Sequence, residues 1–238
     1  MASRRAGVMP LRSPLGGASP GPAMEGRTDE VGLAERFRAL RASIEGAAAS
    51  RQTGDTPDQI RSVLVVGIDH GVASVGIGLA TAFAQGQHRT LLVDADLRAT
   101  GSQRLIRPAG AATPGLAEWL LDPVEAVPYA AYPTGQPNLS VLPAGEAATT
   151  VGDPTRGGRL AALLSNAEDG QPRDRVVVVM TPLALAADAL LLARHADGVL
   201  LVVVPGRTTT AAASRARDAL RSAGGHILGV VLDDPPAK

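Results

Sequence analysis

Three short stretches hold residue types suited to phosphate or acid–base chemistry. The first, VVGIDHGVAS from Val65, passes from an apolar strand-like run through a turn into a helix-like segment. Backbone N–H groups at such a helix start can face an anion. The phosphate-loop pattern G-x-x-x-x-G-K-[ST] adds a lysine for the β/γ-phosphates and a hydroxyl for magnesium. With Gly71 as the second glycine, Val72 stands at the lysine position and Ala73 at the hydroxyl position. Ser74 follows one residue later, and Val66 holds the first glycine position beside Gly67. The turn, with Asp69 and His70, thus keeps the backbone of an anion site without its usual charge. By pattern alone, an ordinary strand-to-helix turn is the simpler reading.

The second stretch is LLVDADLR, with Asp94 and Asp96 two residues apart at the end of an apolar run. If the strand continues, both side chains share a face. Two carboxylates that close repel unless a cation or hydrogen-bond donors separate them. They can hold magnesium, orient a hydroxyl or act as general base. Equally, one aspartate caps a turn and the other pairs with Arg98. The third stretch is RVVVVMTP, where Met180 ends a strand that in nucleotide hydrolases ends in a magnesium-directing Asp. A thioether is a poor ligand for a hard cation.

The elements that must position these residues follow from hydrophobic pattern. SVLVVG, RTLLVDAD, NLSVLPAG, RVVVVMTP, GVLLVVVPG and HILGVVLDD read as strands. Several are continuously apolar, as strands buried on both faces of a parallel sheet should be. Helical segments are expected at 75–85, 159–166, 186–194 and 210–223. In the last of these, Ala213, Ala216, Leu220 and Ala223 form an apolar stripe and Gly224 a C-cap. GLAEWLLD suggests a short helix with Trp119 as a core anchor. Alternating β and α segments imply a doubly wound α/β domain, a mostly parallel sheet flanked by helices. Ligands of such sheets bind at the carboxyl ends of the strands. Upstream, residues 1–27 are rich in Gly, Pro, Ala and Ser and read as a disordered tail. A helix follows over 29–48, and one domain is expected over 28–238.

The chain has 238 residues, 23 basic and 23 acidic side chains, and no cysteine. Zero net charge argues against general binding to nucleic acid or to an anionic membrane. The missing cysteines exclude disulfides, thiolate metal sites and cysteine nucleophiles. No apolar run approaches the roughly 20 residues needed to span a bilayer. The N-terminal stretch does not read as a secretory signal.

Taken in order, ERFRALR, LLVDADLR, GLAEWLLD, NLSVLPAG, ADALLLARHADGVLLVVVPGRTT and ILGVVLDD resemble the cytoplasmic domain of bacterial tyrosine kinases. These belong to the MinD/ParA-like P-loop ATPases and act in capsule and exopolysaccharide synthesis. The resemblance runs from about Glu35 to Asp233. It implies a P-loop NTPase-like fold and a cytoplasmic location. It also implies self-association into a ring or dimer through Glu35, Arg38 and Arg41 of the E-x-x-R-x-x-R pattern. A membrane chain-length regulator or the polysaccharide export machinery would be the partner, and no nucleic acid.

The departures from that family concern catalysis. Val72 and Ala73 replace the loop's Lys and Ser, and Met180 replaces the Walker B Asp of D-T-P-P. Asp233 stands where an Asn reads adenine, and the C-terminal tyrosine cluster is missing. A charged donor to phosphate contributes about 1.5–3 kcal/mol as a hydrogen bond, and more in a phosphoryl-transfer transition state. The expectation is therefore a catalytically degenerate pseudokinase or scaffold that binds ATP or ADP with magnesium weakly at most. Asp94 and Asp96 are its remaining catalytic candidates, and Ser74 with Asp94 its remaining metal ligands. The alternatives are a working tyrosine autokinase or ATPase with a rebuilt loop, His70 or Arg98 supplying the charge, and a MinD/ParA-type positioning protein.

Overall fold

The computed structural model describes residues 25–49, 60–68, 72–97, 114–121, 131–145, 158–164, 173–180 and 188–233. Among these, six helices and seven strands alternate. They are α1 (Glu25–Ala49), β1 (Ser62–Gly67), α2 (Val72–Gln85), β2 (Thr90–Asp94), α3 (Leu116–Leu121), β3 (Tyr132–Pro133) and β4 (Leu139–Leu142). After them come α4 (Arg159–Leu164), β5 (Arg175–Met180), α5 (Asp188–Ala193), β6 (Gly198–Val203), α6 (Thr210–Ser222) and β7 (Ile227–Leu232).

The strands form one sheet in the order β3-β4-β2-β5-β1-β6-β7. Every pairing is parallel except β3 with β4, a short hairpin that the hydrophobic pattern does not mark. The central strands are almost wholly Val and Leu, and all residues of β1, β2 and β5 are buried. Their side chains divide by period two between the faces. Leu64 and Val66 of β1 join a layer completed by α3, α4, α5 and α6. Val63 and Val65 join the opposite layer, with α1 and α2. The sheet is thus covered on both sides, the doubly wound arrangement expected from the pattern. At the far edge β7 stays half open, with Val230 and Leu232 exposed.

Helix α2 lies unusually close to its neighbours because two of its glycines permit it. A Cβ at Gly76 would overlap Val179 of β5, and one at Gly78 would overlap the Phe37 ring of α1. The chain Val179–Gly76 and Gly78–Phe37 therefore stacks β5, α2 and α1 in contact. Helix α1 begins at Glu25, so Glu25, Gly26 and Arg27 are helical where the composition suggested a tail. Residues 1–24 lie outside the described part. Helix α6 carries its expected signals: Thr209 Oγ1 accepts from the Ala212 N–H, and Gly224 takes φ +86° just beyond the C-cap. Trp119 is half-buried against the core, with the Arg159 guanidinium 4.4 Å from its ring centre.

At the amino-terminal edge of the sheet, Arg89 donates to Asp174 through its main-chain N, Nε and Nη2 at 2.9, 3.2 and 2.9 Å. The side-chain bond from Arg89 pulls the Asp174 carboxyl down to about 2. A carboxyl depressed in the folded state adds stability that is complete above the unfolded value of about 4 and lost as pH falls toward 2. The wild-type melting temperature should therefore fall between about pH 4 and pH 2, and Asp174→Asn should flatten that limb in thermal melts. The effect should be small, because Arg89 is exposed and Asp174 only half-buried, so water screens the pair.

Candidate functional site

The carboxyl ends of β1, β2, β5 and β7 hold the described residues singled out for phosphate chemistry, and they treat them differently. Val72 opens α2 with 7% of its surface exposed and packs among Val65, Val202 and the apolar face of α2. The position where the resemblance leads one to expect the loop's lysine is therefore part of the core. Residues 69–71, among them Asp69, His70 and Gly71, and the Ala73 side chain lie outside the described part. Ser74, on the first turn of α2, is half-buried, and its Oγ donates to Oδ2 of Asp233 at 2.9 Å. Asp233 is itself anchored by its main-chain N–H to the Val203 carbonyl at 2.9 Å. Two residues expected at a nucleotide site are thus joined to each other. The Asp233 carboxylate lies against the positive end of α2, where a negative group is favoured.

Asp94 is fully buried at the last position of β2, opposite Val179 in the register and therefore on the α2 side of the sheet. Its Oδ1 accepts the main-chain N–H of Asp96 at 3.1 Å. The strand stops at Asp94 and the carboxylate organises the turn that follows, as an Asx turn does. The expected pair of carboxylates on one strand face is therefore corrected: Asp96 is in the turn, and Asp94 serves as its cap. Arg98 lies outside the described part.

Met180 closes β5 with 1% exposure and belongs to the opposite layer, with Ile68, Ala95 and Leu97. The position where the resemblance leads one to expect a carboxylate holds a buried thioether. Val72 and Met180 are consequently buried on opposite faces of the sheet. Among the described residues, no group of three or more His, Asp or Glu side chains could hold a metal ion. The described residues at the start of α2 carry no cationic side chain, Val72 standing where the resemblance leads one to expect lysine. The described donors at these strand ends do not by themselves make up the cation and carboxylate set that phosphoryl transfer from Mg·ATP requires.

The E-x-x-R-x-x-R residues of α1 split into two groups. Glu35 and Arg38 are exposed, and Arg38 Nη1 donates to Glu35 Oε2. Arg41 instead turns inward. Its Nη1 donates to the Ala82 carbonyl near the end of α2 at 2.9 Å, and its Nε lies 3.7 Å from Glu45. A cation there suits the carbonyl end of the helix. Glu45 also meets His88 Nε2 at 3.2 Å. Arg41 is a clamp between α1 and α2, a role the spacing alone could not separate from that of Arg38.

No family profile matches the chain. The tyrosine-protein kinase YwqD of Bacillus subtilis (strain 168) is 27% identical over 201 residues, covering 84% of this chain and 80% of that protein. The succinoglycan biosynthesis transport protein ExoP of Rhizobium meliloti (strain 1021) is 34% identical over 180 residues, 69% of this chain; the chain spans only 21% of ExoP. Among solved structures, the kinase domain of the Escherichia coli tyrosine kinase ETK superposes with TM-score 0.71 at 23% identity, covering 98% of this chain and 92% of that one. The cell-division ATPase MinD of Pyrococcus furiosus gives 0.55 at 24% identity, covering 75% and 77%. The sheet order and these superpositions define a P-loop NTPase-like fold. Within that class, the relatives of this chain are bacterial tyrosine-protein kinases, and proteins of exopolysaccharide and capsule synthesis are among them.

Proposed function

We propose that this chain is a catalytically degenerate tyrosine-kinase-like scaffold of exopolysaccharide or capsule synthesis. It acts at the inner face of the cell membrane through self-association and through a membrane chain-length regulator or the export machinery. The observation that carries the reading is the burial of Val72 and Met180 in opposite core layers. The two positions where the family keeps its lysine and its magnesium-directing carboxylate are occupied by packing. Nucleotide binding is at most weak, held by backbone at the start of α2. No helix among the described residues is long and apolar enough to cross a membrane, and the scaffold reading assigns the membrane link to the partner.

Glu35 and Arg38 are the exposed members of the α1 pattern and form the self-association surface. Arg38→Glu alone is the sound test, because reversing Arg41 would also break the clamp to Ala82. Light scattering should show a lower mass for Arg38→Glu than for wild type at the same concentration; an unchanged mass removes the interface. Calorimetry with Mg·ATP and a phosphate-release assay should show weak or no binding and no turnover.

A second reading, a weak ATPase, draws on Asp94, which is buried on the α2 side of the sheet. Turnover abolished by Asp94→Asn would overturn the scaffold in its favour.

A further inference from the structure

At the edge of the sheet opposite the phosphate-type loop, the starts of β2 and β4, the β3–β4 hairpin and the residues before β5 line an open cavity of about 360 Å³. That size is within the range of small-molecule sites. Its polar lining includes Arg89, Arg173, Gln136, Asn138 and Ser140, and among the described residues no acidic one lines it. The wall is pre-organised. Thr134 Oγ1 lies 3.0 Å from the Leu139 carbonyl, to which it donates, and accepts the Gln136 N–H at 3.1 Å. The Thr90 N–H donates to the Asn138 carbonyl at 2.8 Å, tying the hairpin to β2. Asn138 holds the turn in the left-handed region at φ +64°.

Arg89 spends Nε and Nη2 on Asp174, which fixes the plane of its guanidinium. Arg173 is half-buried, and desolvation lowers it to about 10, so it stays a cation at neutral pH. A partly desolvated guanidinium attracts an anion more strongly than one in open water, and its fork matches carboxylate and phosphate. Ser140, Asn138 and Gln136 offer hydroxyl and amide groups of the kind that hydrogen-bond sugar-like hydroxyls.

We propose that this cavity binds a small hydroxylated anion, its carboxylate or phosphate held by Arg173 with Arg89 and its hydroxyls by Ser140, Asn138 and Gln136. The site is independent of the kinase-type loop and of the scaffold reading.

The full chain would be titrated by calorimetry with glucuronate, glucose 1-phosphate, inorganic phosphate and glucose. At least one of the two sugar anions should bind and glucose should not, and the better of the two tells carboxylate from phosphate. Mg·ATP should leave the titration unchanged. Arg173→Gln should weaken binding by about tenfold or more, the loss of a charge-assisted bond. Arg173→Lys, which keeps charge without the fork, should fall between, and Ser140→Ala should lose a few-fold. Circular dichroism would establish that each variant is folded. Wild-type affinity in Arg173→Gln, or no binding of either sugar anion, would overturn the site. Equal affinity for inorganic phosphate and glucose 1-phosphate would overturn the hydroxyl contacts.

Discussion

Met180→Asp is expected to lower the unfolding free energy by about 3–5 kcal/mol while leaving phosphate release from Mg·ATP at background. The substitution supplies the carboxylate that the resemblance to tyrosine kinases leads one to expect at this strand end. In this chain, however, the position is 1% exposed and packed against Ile68, Ala95 and Leu97. An ionised carboxyl there has lost its hydration and gains no cation in exchange. Protonation would remove the charge but not the metal-binding defect, because a neutral carboxyl is a poor ligand. Even an ionised carboxylate at this strand end would find no cation in Val72, which is buried in the opposite layer. Urea denaturation reads the first expectation and a phosphate-release assay the second. Met180→Leu, close in volume, should cost less than about 1.5 kcal/mol and serves as the packing control. If Met180→Asp kept its stability within about 1 kcal/mol and gained turnover, the site would be one carboxylate short of working, and the scaffold reading would fail.

Gly76→Val should cost about 3 kcal/mol or more, the upper end of overpacking penalties. Helix propensity alone points the other way, since valine is favoured over glycine in a helix interior by a few tenths of a kcal/mol. Sterics decide the sign. A Cβ at Gly76 would overlap Val179, a side chain with 1% exposure in the middle of the sheet. Neither partner can retreat, because Val179 is paired to β1 and β2 on its two sides. The whole of α2 must lift, carrying α1 with it through Gly78 and Phe37. Gly32→Ala on α1 is the contrasting case. Nothing lies within 4 Å of a Cβ placed there, and it should stabilise by about 0.5–1 kcal/mol. Denaturant midpoints of the two variants should therefore move in opposite directions. A neutral Gly76→Val would mean that α2 sits farther from β5 than the packing places it.

Much of the fold was legible because it is written in short-range pattern. Runs such as VLVV and VVVV can only be strands buried on both faces, and the helical stripe of Ala216 and Leu220 lands on the core as expected. Boundaries were less legible. The strand after Thr90 stops at Asp94 because that carboxylate caps the Asp96 N–H, a choice between strand and turn that composition leaves open. The β3–β4 hairpin escaped because a two-residue strand containing a proline has no periodicity to detect.

Residue type can be read in one dimension: a valine and a methionine stand at two positions where the resemblance to tyrosine kinases leads one to expect charge. What fills the gap emerges only once the chain is folded. Folding buries Val72 and Met180 on opposite faces of the sheet, and joins Ser74 to Asp233 across 159 residues. It also turns Arg41 toward Ala82 while leaving Arg38 outside, and places Arg89 and Arg173 around one cavity. One cause runs through all of these. Residue type and spacing set what a side chain can do, but its partners come from distant segments that only the closed sheet brings within reach.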